Sequence, residues 1–126
     1  MTTTEVGRKG EKIAARFLKK NGFRILETNR HQSYNELDII ARNRDLLLFV
    51  EVKTRTMDEN GELKFGPPGA AVDRKKQARL LQAARAYLVQ SKGKYQSLQP
   101  RMDVIEVYLD RTSGKPTKIH HIPNAF

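Results

Sequence analysis

Apolar positions along this chain alternate between a spacing near 3.6 residues and a spacing near 2, and the switches divide it into seven elements. Residues 7–20 place Ile13, Ala14, Phe17 and Leu18 on one face at the helical period, which predicts an amphipathic helix. Asn21-Gly22 supplies its stop. Residues 23–29 alternate as a strand, residues 31–35 read as a turn, and residues 36–42 form a second strand. Asn43, Arg44 and Asp45 make a tight reversal, so the next strand, residues 46–54, is expected to run antiparallel. It is the most apolar stretch of the chain and is expected at the centre of a sheet.

Glycine and proline then punctuate residues 55–71 (Gly61, Gly66, Pro67, Pro68, Gly69), which predicts a long, flexible loop. Residues 72–91 return to the helical period, with Val72, Leu80, Leu81, Ala84, Tyr87 and Leu88 as the buried stripe. A polar linker over 92–100 precedes a strand over 102–109, a turn over 110–116, and a short last strand over 118–122. The order αβββαββ predicts one α/β domain over residues 1–126. Its mixed central sheet has about five strands, and helices flank it.

Composition narrows the function more than the fold. Hydrophobic residues make up 38% of the 126, enough for a small core. The absence of cysteine removes disulfides, thiolate metal sites and cysteine nucleophiles, and suits a cytoplasmic location. The first residues show no basic-then-apolar pattern, so no signal peptide is expected, and no apolar run is long enough to span a membrane. Twenty-four Lys and Arg against 14 Asp and Glu leave a net charge of +10, a field that favours a polyanionic partner.

The chemistry concentrates in the central hairpin. Asp38 and Glu51 sit on its two strands, and a turn centred between Arg44 and Asp45 pairs them directly. Two carboxylates that close repel unless a cation lies between them, and an all-oxygen site suits Mg²⁺ or Mn²⁺. Lys53 follows Glu51 by two residues and so points to the same face, where an ammonium could orient water or hold a phosphate oxygen. Simpler roles compete: Asp38 could cap a backbone group, and Glu51 with Lys53 could be an ordinary ion pair. Glu36 shares the Asp38 side and reads as the more exposed of the two. Glu11 could add a third carboxylate if the first helix crosses the site, although alone it reads as a surface residue. Lys76 and Gln77, early in the second helix, could reach a phosphate. His31, His120 and His121 are not spaced as a metal cluster.

Asp38 followed by Glu51-Val52-Lys53 resembles the PD-(D/E)xK signature of restriction-endonuclease-like nucleases, with Leu37 in place of the proline. A wider pattern is similar to the YraN family over nearly the whole chain. It includes Gly10-Glu11, Asn29-Arg30, residues 36–41, residues 49–55, Lys76-Gln77, residues 101–104 and the ending at 121–126. The family is similar in core fold to archaeal Holliday-junction resolvases. The resemblance implies a restriction-endonuclease-like fold, with Asp38, Glu51 and the Val52 carbonyl as metal ligands. It implies Lys53 as the catalytic lysine, with Glu11 and Gln77 as helix-borne members of the site. Arg30, Arg55, Arg74, Lys75, Lys76 and Arg79 are the cations expected to hold nucleic acid. The function expected is a Mg²⁺-dependent endonuclease on DNA, branched or damaged DNA included, with DNA ahead of RNA. A junction substrate would call for a homodimer. The alternative is a nucleic-acid-binding module without turnover.

Overall fold

The computed structural model describes residues 2–57 and 72–126. Seven elements follow in the order α1 (Thr3–Lys20), β1 (Arg24–Gln32), β2 (Asn35–Arg42), β3 (Leu46–Met57), α2 (Arg74–Gln90), β4 (Gln99–Asp110) and β5 (Pro116–Ile122). The strands form one mixed sheet in the spatial order β1-β2-β3-β4-β5. Among the described residues only the β3–β4 pair is parallel, because α2 carries the chain from the end of β3 back to the start of β4. The expected order αβββαββ is the one observed, and the architecture matches a restriction-endonuclease-like core. Among the described residues no helix is long and apolar enough to cross a membrane.

Alternation along β3 divides the core in two. Leu48, Val50 and Val52 pack with Ala14 and Leu18 of α1. Leu47 and Phe49 pack with Leu80, Ala83, Ala84 and Tyr87 of α2. Each helix therefore covers one sheet face, as period-2 strands between two amphipathic helices require. Glu51 and Lys53 fall on the α2 side by the same alternation.

Element ends differ from expectation for local reasons. Thr2 caps α1 in a capping box with Glu5, so the helix starts earlier than residue 7. The first turn is only Ser33-Tyr34, both at positive φ (51° and 65°), and Gln32 pairs directly with Asn35. A two-residue hairpin turn needs that backbone, but Ser-Tyr lacks the usual Asn-Gly signal. β3 continues through Arg55, Thr56 and Met57, which extend its parallel pairing with β4. The expected loop over 55–71 otherwise lies outside the described residues. β4 starts at Gln99, whose amide donates to the Asp45 carbonyl at 2.8 Å. Pro100 is tolerated inside β4 because β5 pairs only from Val104 onward, leaving one side of Pro100 without a strand.

One close approach fixes α1 on the sheet. Gly10 is buried, and a Cβ there would collide with Thr54 Oγ1 and lie 2.9 Å from Thr54 Cβ. Glycine lets the helix backbone sit directly on β3 and sets the position of the next residue, Glu11. Gly7, one turn earlier, has no atom of the described residues within 4 Å of such a Cβ. Gly10→Ala should therefore destabilise by about 1–3 kcal/mol in chemical denaturation. Gly7→Ala should be neutral or stabilising by up to about 1 kcal/mol, through helix propensity alone. Equal effects at the two positions would contradict this packing.

Candidate metal and phosphate site

The site forms where β2 and β3 part. Their ladder runs from Arg42↔Leu47 to Ile39↔Val50 and stops. Asp38 and Glu51 occupy the next step of that register, so the hairpin brings them to the same level, as its turn predicts. The carboxylate of Asp38 takes the place of a ladder partner, with Oδ2 accepting from the Val52 amide at 2.9 Å. Asp38 and Glu51 line one crevice with Leu37, Phe49, Leu80, Met102 and Phe126.

Two groups of charges meet there. Glu11 of α1, and Glu36 and Asp38 of β2, each offer a carboxylate oxygen, and these atoms lie within 4.8 Å of one another. Glu51, only 6% exposed, instead faces two ammonium groups: Lys76 Nζ at 2.7 Å and Lys53 Nζ at 3.6 Å from Oε1. Lys76 is therefore a half-buried partner of Glu51, whereas Arg74, Lys75 and Arg79 remain exposed on α2. Gln77 donates from Nε2 to the Val72 carbonyl at 3.2 Å, and Asp73 accepts from the Lys76 amide at 2.8 Å, so both fix the start of α2. Val52 meets Asp38 through its N–H. Arg55 lies at the β3 end, on the level of Tyr108 of β4. Arg30 is bound away from the cluster, to Glu27 and Gln90.

Burial and unbalanced charge shift the acids. Burial first, then the Glu51 charge, push the Asp38 carboxyl up to about 7, against the pull of the Val52 N–H. Burial also raises Glu11, opposed by a hydrogen bond from Asn29 and reinforced by the Glu36 and Glu51 charges. Asn29 adopts φ 53°, a left-handed conformation that asparagine tolerates well. Burial and the adjacent Lys76 lower the Lys53 ammonium. Burial works against the Lys76 charge too, but its bond to Glu51 outweighs it and the pKa rises.

A cluster of carboxylate oxygens with too little positive charge beside it is what a hard divalent cation satisfies. Ligands of one Mg²⁺ lie about 3–4 Å apart given metal–oxygen distances near 2.1 Å, so Glu11, Glu36 and Asp38 fit after a small contraction. Glu36 is exposed, as its place on β2 predicts, and its carboxylate completes the trio. Its spacing of two from Asp38 and a helix-borne Glu11 are both readable in the sequence, but that Glu11 meets Glu36 as well as Asp38 is not. Asp103 lies outside this cluster. It is fully buried and holds Arg101 (2.8 Å), His121 (2.7 Å) and the Asn124 amide (3.0 Å), tying β4 to β5 and the C-terminal residues. Burial opposes its charge, but these three donors bring its pKa down to about 2.

Residues 10–107 match the family described as Uncharacterised protein family UPF0102. A UPF0102 protein of Caldanaerobacter subterraneus is 44% identical over 121 residues, covering 96% of this chain and 93% of the relative. Those of Dictyoglomus thermophilum and Clostridioides difficile are 41% and 39% identical over 126 residues, the whole of both chains in each case. The chain belongs to the UPF0102 family, the YraN family of the sequence resemblance.

The charge imbalance has a measurable signature without metal. Asp38 in the folded chain binds its proton up to about pH 7, whereas an unfolded aspartate releases it near 3.8. Between those values the native state holds the extra proton, so stability falls as pH rises from about 4 to 7. Carboxyl NMR should show Asp38 titrating near neutrality, and Glu51→Gln should move it down. An Asp38 titrating near 4 in the wild type would refute this electrostatic description.

Proposed function

We propose that this protein is a metal-dependent phosphodiesterase that cuts DNA endonucleolytically, branched or damaged DNA included. The observation that carries the reading is the convergence of Glu11, Glu36 and Asp38 within 4.8 Å, beside an ammonium pair on Glu51. The fold and the net charge of +10 support a polyanionic substrate. In this reading Asp38, Glu11 and Glu36 hold Mg²⁺ or Mn²⁺, and Glu51 and the Val52 carbonyl join them once Lys76 turns to a phosphate. The metal, when bound, would neutralise charge on the phosphate and lower the pKa of a water.

The protein's own groups do the rest. Hydrolysis adds a water oxygen to phosphorus, breaks one P–O bond and protonates the leaving oxygen. Lys53, its ammonium pKa lowered by burial and by the adjacent Lys76, is suited to orient that water or to hold a phosphate oxygen. Lys76 can move from Glu51 to a phosphate oxygen without leaving the site. Gln77 acts by fixing the first turn of α2, and hence Lys76. Arg55, Arg74, Lys75 and Arg79 contribute non-specific backbone attraction, which weakens with salt. Cutting both strands of a duplex or junction would require two copies of the chain. We place this activity in the cytoplasm.

The Lys76–Glu51 ion pair favours a second reading. An acid already neutralised by a 2.7 Å ammonium needs no metal, and the chain could bind nucleic acid without turnover. Labelled junction, flap and duplex DNA incubated with Mg²⁺ or Mn²⁺ separates the two. The enzyme reading expects metal-dependent products, none with Asp38→Asn, and a rate lower by about 10²–10⁴-fold with Lys53→Ala. Binding without cleavage by the wild type under every metal condition would leave the binding module standing.

A further inference from the structure

At the far end of α2 lies a groove of about 540 Å³, lined by Arg24, Glu27 and Arg30 of β1, Tyr87 and Gln90 of α2, and Lys94 of the following turn. Among the described residues its one carboxylate is already matched: Glu27 accepts from Arg30 at 2.8 Å. Arg30 is itself locked. Its other nitrogens reach Gln32 (3.4 Å) and Gln90 (3.0 Å), and its guanidinium stands 5.4 Å above the Tyr87 ring. Tyr87 stacks on Tyr95 at 6.2 Å, and Lys94 lies over Tyr95 at 5.6 Å. The wall is therefore rigid and aromatic. Arg24 and Lys94 remain exposed, with no acidic partner within 4 Å among the described residues. A rigid, concave wall with surplus cations suits an anion that need not be chosen by sequence.

The groove and the acidic cluster lie toward opposite ends of α2. Lys76 and Gln90 are fourteen residues apart on α2, about 21 Å of helix axis. Arg79, Gln82, Ala86 and Gln90 recur at spacings of three and four, so they share one flank of the helix, the flank that meets Arg30. Leu81 and Leu88 lie on the opposite flank, toward Met102 and Phe126. A strand leaving the cluster along the Arg79 flank would reach the groove after about six base steps of B-form rise.

We propose that this groove is a second phosphate-binding subsite that grips the nucleic-acid backbone about six nucleotides from the bond presented to Asp38 and Lys53. It rests on the phosphodiesterase or binding reading above only in requiring a nucleic-acid ligand. Arg24 and Lys94 make the ionic contacts, and Arg30, Tyr87 and Tyr95 hold the wall in shape.

The test measures binding of a labelled DNA duplex by anisotropy across a salt series, without divalent metal. It compares wild type with Arg24→Glu/Lys94→Glu and with a control of equal charge change on the outer face of α1, Lys12→Glu/Arg16→Glu. The groove variant should bind more weakly and lose about 2 from the slope of log K against log salt, about 1 for each lost phosphate contact. The control should keep the wild-type slope. Circular dichroism checks that both variants fold, and Arg24→Gln/Lys94→Gln gives the same slope reading with less perturbation. Equal slopes in groove variant and wild type, or equal losses in groove variant and control, overturn the subsite while leaving nucleic-acid binding intact. No DNA binding by the wild type overturns both this proposal and the reading beneath it.

Discussion

The hydrogen bond from the Val52 amide to the Asp38 carboxylate is the contact on which the rest of the arrangement turns. It ends the β2–β3 ladder at Ile39↔Val50, although β2 runs back to Asn35 and β3 on to Met57, and puts an acidic side chain where a backbone carbonyl would otherwise sit. A carboxylate in the plane of a sheet can be approached from both faces. Glu11 comes from the α1 side, while Glu51 and the two lysines lie on the α2 side. The strand gap thus becomes a meeting point for groups that the sheet would otherwise keep apart.

Each helix is fixed so that it delivers one residue to that point. On one face, Gly10 brings the α1 backbone onto Thr54, and the following Glu11 is carried to the gap. On the other, the Asp73 cap and the Gln77–Val72 bond set the first turn of α2, and Lys76 lands on Glu51. Neither the middle of α1 nor the first turn of α2 is a free surface feature. Their packing and capping choose which side chain enters the site. The result is a segregated charge pattern, with an under-neutralised acidic trio beside an acid that has two ammonium groups. That asymmetry suits a site where metal and phosphate arrive together.

Much of this was legible in the sequence. The hydrophobic period gave all seven elements in order, since each has one apolar face and α/β packing leaves few alternatives. The symmetric turn at Asn43–Asp45 gave the register that levels Asp38 with Glu51, because a hairpin turn and a buried face together permit one pairing. The simpler roles weighed for these residues are also visible: Asp38 does accept a backbone N–H, and Glu51 does sit near Lys53. What sequence could not show was the third dimension of the charge pattern. Glu36 reads as exposed along its own strand and gains meaning only from a helix that crosses it. Lys76 reads as a helix cation able to reach a phosphate, and its seat on Glu51 shows only once α2 is docked. The histidines of β5 read as edge residues, although His120 and His121 bind the buried Glu106 and Asp103. In each case the partner comes from a distant segment, and local periodicity carries no record of it.

The most direct test is a crystal of the protein soaked in Mn²⁺ and measured at a wavelength where manganese scatters anomalously. An anomalous peak is expected within bonding distance of Asp38 and of at least one of Glu11 and Glu36, with Lys76 displaced from Glu51 where that acid joins the shell. A structure at saturating Mn²⁺ with no peak near Asp38, and Lys76 still seated on Glu51, would contradict this expectation.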